Sequence, residues 1–125
     1  MKKEDKVTIV EISPRDGLPD VCKGLSTADK VMFINNLSQT GFKKIECASF
    51  LHPRLLPQNS DAEKVVDGII KQPGVTYVGL VPNEIGCRRA LITRIDEILM
   101  LVAASDVFNK MTIGRTLREI GRAHV

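Results

Sequence analysis

VEISPRDGLPD, residues Val10 to Asp20, is the stretch on which the fold turns. An apolar, β-branched segment, Val7–Ile12, is closed by Ser13-Pro14, and Arg15-Asp16-Gly17 follows at once. Short β-branched runs bounded by proline read as strands. A strand that stops on adjacent opposite charges admits two readings. The pair is either a charged turn or a set of functional groups placed where a buried strand ends.

Working outward, Ser26-Thr-Ala-Asp29 signals a helix start, with a hydroxyl three residues before a carboxylate. The helix is expected to reach about Thr40, with Val31, Ile34 and Leu37 on one side and Gly41 past its end. Lys44–Ala48 reads as a second strand, followed by a loop from Phe50 to Asn59 that contains Pro53 and Pro57. Ser60-Asp-Ala-Glu63 is a second capping box. After it Ala62, Val65, Val66, Ile69 and Ile70 repeat at helical spacing until Pro73-Gly74. Val75–Val81 is a third strand, ended by Pro82, and Asn83 can cap a helix to about Thr93. Glu97–Ala103 is a fourth strand, Ala104–Asn109 a loop, and a further helix is expected from near Ile113.

Strands alternating with helices imply a parallel sheet with right-handed crossovers. Two architectures carry that order: an open doubly wound sheet, and part of a (β/α)8 barrel. No Gly-rich phosphate loop follows the first strand, which speaks against the first. A whole barrel typically takes about 250 residues, so four units amount to half of one. The pattern alone leaves both open.

The 125 residues suffice for one core, and aromatics at 4% with no Trp make that core aliphatic. A net charge of +3 is too small and too scattered to argue for nucleic acid; its densest basic runs are Lys2-Lys3 and Arg115–Arg122. Cys22, Cys47 and Cys87 show no C-x-x-C spacing, so neither a disulfide framework nor a structural zinc is expected, and a reducing, cytoplasmic setting is the default. The start MKKEDKVTIV has no signal-peptide core, and no run approaches the roughly 18 apolar residues that span a bilayer. No membrane partner is expected.

Both architectures gather ligands at the carboxyl ends of strands. Arg15 and Asp16 stand after the first strand, Glu46 and Ser49 at the second, Asn83 after the third, and Ser105 and Asp106 after the fourth. Glu11 and Glu46 are carboxylates inside apolar strands, where a buried charge needs a cation or donors. Arg15 is the nearby guanidinium. The cluster is either a polar mouth or an ion pair that fixes strand register. Asp16 offers a hard oxygen ligand suited to Mg²⁺ or Mn²⁺, yet an aspartate before Gly17 is also an ordinary turn residue. His52 and His124 show no ligand spacing, and the cysteines have no histidine partner in sequence, so neither type is expected to be catalytic.

Taken together, VEISPRDGLPD, GFKKIECASFLHPRLLPQNSDAEKVVDGI, GLVPNEIG and AASDVFNK resemble the 3-hydroxy-3-methylglutaryl-CoA lyase family, in the same order and over roughly residues 7 to 118. The resemblance implies the first half of a (β/α)8 TIM barrel, about four parallel strands with covering helices. It implies a metal-assisted retro-Claisen cleavage of an acyl-CoA to acetyl-CoA and a keto acid. It assigns Asp16 to a divalent metal, Mg²⁺ or Mn²⁺, and Arg15 to the thioester carbonyl. Glu46 becomes the support of this cluster, with Ser49 and Asn83 in the substrate pocket. The implied partner is a small acyl-CoA, and a homo-oligomer is implied for the full-length protein. The alternatives are a Claisen-type synthase or ketoacid aldolase of the same superfamily, and a non-enzymatic open-sheet binding module.

Three departures from the family pattern stand out. Pro19-Asp20-Val21 replaces the usual Gln-Asn-Glu, and Met111-Thr112-Ile113-Gly114 replaces a run with a Lys-Asn pair. The His-x-His and Asn metal ligands and the Gly-rich loop with a reactive Cys belong to the second half of the family's barrel. We therefore expect residues 1–118 to be an N-terminal half-barrel, inactive and prone to association alone. Residues 119–125 (EIGRAHV) stop resembling the family and are expected to be a non-native tail.

Overall fold

The computed structural model describes residues 6–122. The run Lys2-Lys3, His124 and the last three residues of the expected tail lie outside them. Four strands alternate with helices in the expected order, with two successive helices after the first and the fourth strand. β1 (Val10–Glu11) is followed by a short α1 (Leu18–Val21) and by α2 (Thr27–Ser38). Next come β2 (Lys44–Ser49), a 3-10 turn at Pro57–Asn59, and α3 (Ala62–Gly68). β3 (Thr76–Val81), α4 (Glu84–Leu91), β4 (Glu97–Met100), α5 (Asp106–Ile113) and α6 (Leu117–Arg122) complete the chain.

The strands form one parallel sheet in the order β1-β2-β3-β4. That order decides between the two architectures. A doubly wound sheet reverses its strand order at a switch point, whereas a barrel adds each strand beside the last. Sequential order with every crossover helix on the chain's way to the next neighbour is barrel construction.

One face of the sheet carries the aliphatic core. Ile45 and Cys47 of β2, Tyr77 and Val81 of β3, Ile34 of α2 and Val65, Val66 and Ile69 of α3 pack together. Val78 and Leu80 are buried outside that cluster, as alternation along β3 requires. Two glycines permit close approach. A Cβ on Gly68 would meet Val31 Cγ2 at 2.9 Å, where α3 lies on α2. A Cβ on Gly79 would meet the Phe50 ring at 2.6 Å.

Several elements differ from the sequence reading for physical reasons. The β-branched run predicts β1 over Val7–Ile12, but the strand forms only at Val10–Glu11, because its ladder begins where β2 begins, at Val10↔Lys44. The helix after Ser60 is not capped by Ser60. Asp61 is its N-cap and makes no capping bond, since its carboxylate is taken by Lys30 and Thr27. That helix stops at Gly68, before Ile70, whose amide donates to Asn35 Oδ1. The Arg94 guanidinium donates to the carbonyls of Asp67 and Ile69. The sequence predicts a loop over Ala104–Asn109 and a helix from Ile113. Instead Ser105 caps α5, accepting from the Phe108 amide, and the helix closes at left-handed Gly114. Asn109 is buried and exchanges two bonds with the Ala103 backbone, bracing the end of β4.

Gly79→Ala is expected to destabilise the fold by about 1–3 kcal/mol, the usual cost of overpacking a filled core. Urea unfolding followed by far-UV circular dichroism should show a lower midpoint at unchanged slope.

Candidate active site at the strand ends

The mouth is built on the turn that follows β1. After β1, the amides of Arg15 and Asp16 both donate to the Ile12 carbonyl, at 3.0 and 2.8 Å, and fold the chain back over the strand end. Gly17, at φ 103°, supplies the left-handed residue that lets the chain leave this turn. Arg15 is thereby aimed across the sheet towards β2.

Its guanidinium meets Glu46. Nε donates to Oε2 at 2.7 Å, and Nη2 lies 2.7 Å from the same oxygen. Glu46 is only 8% exposed, so this is the cation that its position inside an apolar strand requires. Arg15 also holds its neighbour, with Nη1 3.4 Å from Asp16 Oδ2. The Asp16 carboxylate itself is more than half exposed, at 56% of its side-chain surface. One guanidinium thus bridges a buried carboxylate and an open one.

Glu11, the other strand carboxylate, takes no part. Its register partner is Ile45, so it faces away from Glu46, and its Oε1 accepts the Ser13 amide at 2.7 Å. Bonds from Ser13, led by the one to its side chain, hold the Glu11 carboxyl below its ordinary value.

Ser49 reaches the site through an irregularity that the sequence does not show. Strict alternation would place Glu46 and Ser49 on opposite faces. The β2–β3 register shifts between Glu46 and Ala48: Glu46 pairs with Val78, Ala48 with Gly79 and Ser49 with Leu80. Val78 and Leu80 are two residues apart and share a face, so Glu46 and Ser49 share it too. The extra residue leaves Cys47 and Ala48 both in the core cluster. Burial there pushes the Cys47 thiol up to about 12, which makes it inert at neutral pH.

Asn83 stands apart from this cluster. Its Oδ1 caps α4 by accepting the Gly86 amide at 2.9 Å. It borders a separate cavity of about 260 Å³ lined by Phe50, His52, Glu63, Ile85 and Arg89. Arg89 grips Glu63 with Nε and Nη2, at 2.5 and 2.9 Å, and donates to the Leu51 carbonyl at 3.1 Å. Its guanidinium also lies 5.8 Å from the centre of the Phe50 ring. Arg89 therefore ties α4 to the loop after β2. His52 is a loop residue whose Nδ1 accepts the Arg54 amide.

Lys30 was missed by sequence reasoning. It meets Asp61 and the Gln58 carbonyl at the foot of the same loop. Its partners lie about 30 residues on in the chain, and no local signal announces them. Among the described residues no group of three or more His, Cys, Asp or Glu side chains converges as a metal cage. Nor is any helix there long and apolar enough to cross a membrane.

A sequential parallel α/β sheet with charged groups gathered at its strand ends defines half of a (β/α)8 barrel of the enzyme type. Comparison with known proteins gives the same class and narrows it. The chain belongs to the HMGL-like family, whose model matches residues 6–125. It is 43% identical over 114 residues to the hydroxymethylglutaryl-CoA lyase YngG of Bacillus subtilis, covering 91% of this chain and 38% of that protein. To the 3-hydroxy-3-isohexenylglutaryl-CoA/hydroxymethylglutaryl-CoA lyase of Pseudomonas aeruginosa it is 36% identical, covering 95% and 40% respectively. The solved structure of an HMG-CoA lyase from Acinetobacter baumannii, in complex with coenzyme A and 3-methylmalate, superposes with a TM-score of 0.87 at 34% identity. That match covers 94% of this chain and 38% of that one. The chain thus spans about two fifths of the length of the relatives it matches.

The Glu63–Arg89 tie has a pH signature. The hydrogen bond from Arg89, opposed by desolvation, holds the Glu63 carboxyl below its ordinary 4.5. A depressed folded-state value stabilises above the unfolded value, and that stabilisation is lost as pH falls through the folded one. Glu63→Gln should therefore lose less stability than the parent as pH falls below the ordinary carboxylate value of 4.5, as thermal melts at acid pH would show.

Proposed function

We propose that these residues form the metal-binding and enolate-stabilising side of an acyl-CoA carbon–carbon lyase of the hydroxymethylglutaryl type. The observation that carries the reading is the Arg15–Glu46 pair, with Asp16 open beside it. Arg15 is oriented by a buried carboxylate yet keeps a further donor edge turned to the open Asp16. This arrangement suits an oxygen that becomes negative during reaction.

In the proposed reaction a base takes the proton of the substrate's tertiary hydroxyl. The resulting alkoxide collapses to a ketone as the carbon–carbon bond breaks. The bond's electron pair passes to the thioester fragment as an enolate, which takes up a proton to become acetyl-CoA; the keto acid remains. Arg15 stands against the enolate oxygen. A fixed donor of this kind is commonly worth about 2.7–4 kcal/mol. Glu46 holds the guanidinium in that direction, and the Ser49 hydroxyl, on the same face, contacts the substrate. Asn83 is proposed as a substrate contact from the separate cavity beside the loop that starts at Phe50.

The chain's donor set fits a hard divalent cation. Mg²⁺ and Mn²⁺ keep several waters and take one or two protein carboxylates together with substrate oxygens. Asp16, exposed at the mouth, supplies one such carboxylate. When bound, the cation would supply Lewis-acid polarisation and a template for the substrate oxygens.

The catalytic unit is proposed to be a complete barrel assembled as a homo-oligomer, with residues 1–118 as its first half and residues 119–125 outside the site. Ile98, Leu99 and Met100 of β4 remain partly open to solvent, an apolar strand edge that a further strand would cover. Three free thiols fit a reducing, cytoplasmic compartment.

In the complete enzyme, Arg15→Ala should cut kcat with hydroxymethylglutaryl-CoA about 10²- to 10³-fold, the usual cost of one lost oxyanion donor. Asp16→Asn should abolish the response to added Mg²⁺ or Mn²⁺. Steady-state assays of acetyl-CoA release check both. An Arg15→Ala variant that loses stability while keeping full turnover would instead favour a binding module. The 125 residues expressed alone should show no turnover and should self-associate on size-exclusion chromatography. A soluble monomer with metal-dependent cleavage would contradict this.

A further inference from the structure

Among the described residues, Ser49 Oγ is the one buried side-chain polar atom without a hydrogen-bond partner, and Ser49 is 1% exposed. Ser49 borders a cavity of about 20 Å³ shared with Pro14, Leu18, Lys30, Asn59 and Asp61. A second cavity, of about 60 Å³, is bordered by Pro14, Leu18, Lys30 and Gln58 among others. Pro14, Leu18 and Lys30 are common to both, so the Lys30 side chain and the β1 turn face the same enclosed space. Pro14 immediately precedes Arg15, and Leu18 follows Gly17.

The far end of Lys30 is fastened. Its ammonium donates to Asp61 Oδ1 at 2.7 Å and to the Gln58 carbonyl, and Thr27 Oγ1 donates to Asp61 Oδ2 at 2.6 Å. The two charged side chains keep only 16% and 20% of their surface. Desolvation pushes the Asp61 carboxyl up, but the bonds from Lys30 and Thr27 and the ammonium charge outweigh it, leaving the group below its ordinary value. Asp61 therefore stays ionised at neutral pH. A surface pair would contribute little, whereas an enclosed pair with charge-assisted bonds to both carboxylate oxygens holds a geometry. This network joins α2 to the foot of the loop that leaves β2, and Lys30 lines both cavities together with Pro14 and Leu18 of the β1 turn.

We propose that the Lys30–Asp61–Thr27 network is a positioning element for the active site, holding the Arg15–Asp16 turn against the end of β2 so that Glu46 grips Arg15 and Ser49 faces the same mouth. None of its members touches reacting atoms. Its effect on turnover rests on the lyase reading; its effect on the geometry of the turn does not.

The test compares Lys30→Met and Lys30→Arg in the complete enzyme, by steady-state kinetics and by amide hydrogen exchange. Lys30→Met should lower kcat about 10- to 100-fold, the scale of a small misplacement of catalytic groups, with KM changed less than about twofold. The amides of Arg15 and Asp16, which bond to Ile12, should exchange faster. Lys30→Arg, which keeps the charge and can reach Asp61, should restore both readouts. Unchanged exchange and turnover in a folded Lys30→Met, or equal losses in Lys30→Arg, would overturn the proposal. If the parent enzyme cleaves no acyl-CoA, the lyase reading falls and exchange alone decides: faster at Arg15 and Asp16 supports the positioning role, unchanged refutes it. Should Lys30→Met fail to fold, Thr27→Val removes a single bond to Asp61 and takes its place in the exchange measurement. Faster exchange at Arg15 and Asp16 in that variant supports the positioning role, and unchanged exchange refutes it.

Discussion

The ion pair between Arg15 and Glu46 is the constraint around which the rest of the mouth is arranged. A carboxylate at 8% exposure inside an apolar strand cannot stand alone, and the guanidinium that answers it comes from the neighbouring strand's end. Removing one member of a fully buried pair costs on the order of 3–5 kcal/mol. Here the cost is smaller, because Arg15 keeps about a fifth of its side-chain surface. That residual exposure matters chemically. It leaves Arg15 facing both the interior and the mouth, so a group with a structural duty also presents positive charge where a substrate oxygen would arrive.

The surrounding elements serve this pair at increasing distance. The Ile12 carbonyl, accepting from two successive amides, folds the turn that delivers Arg15. The register shift in β2 brings Ser49 round to the face of Glu46. Gly79 lets the Phe50 ring lie on β3, and Arg89 fastens the loop that begins there to Glu63 of α3. On the other flank, Lys30 and Asp61 tie that same loop to α2. The loop is therefore held at both ends by charged side chains from different helices, which suits a segment bordering three cavities.

The family relation and the geometry support each other without being the same observation. Relatives at 36% and 43% identity establish the HMGL-like family, and superposition at a TM-score of 0.87 establishes the barrel. Neither says which side chains meet. The pairing of Arg15 with Glu46 rather than with Glu11 is a property of the folded chain, and it separates a register-bound carboxylate from one that is merely nearby in sequence.

Much of this was legible in the residues themselves. The succession of strands and helices along the chain followed from β-branched runs closed by Pro14, Pro82 and Gly-containing turns, because proline and glycine act locally on backbone dihedrals; the order of strands in the sheet did not. The odd carboxylate at Glu46 announced a partner, because burial of charge is costly in any fold. Tertiary structure alone decided the rest. Glu11 and Glu46 look alike in sequence, and only the pairing of Val10 with Lys44 sends them to opposite faces. Ser49 joins the site through a register shift that alternation would deny. Ser60 lost its capping role because Asp61 is the N-cap, and Asp61 was drawn instead to a lysine on another helix. Short-range stereochemistry is written in neighbouring residues. Register and ion-pair choice depend on groups 30 or more positions away, and those meet only once the strands have paired and the helices have packed over them.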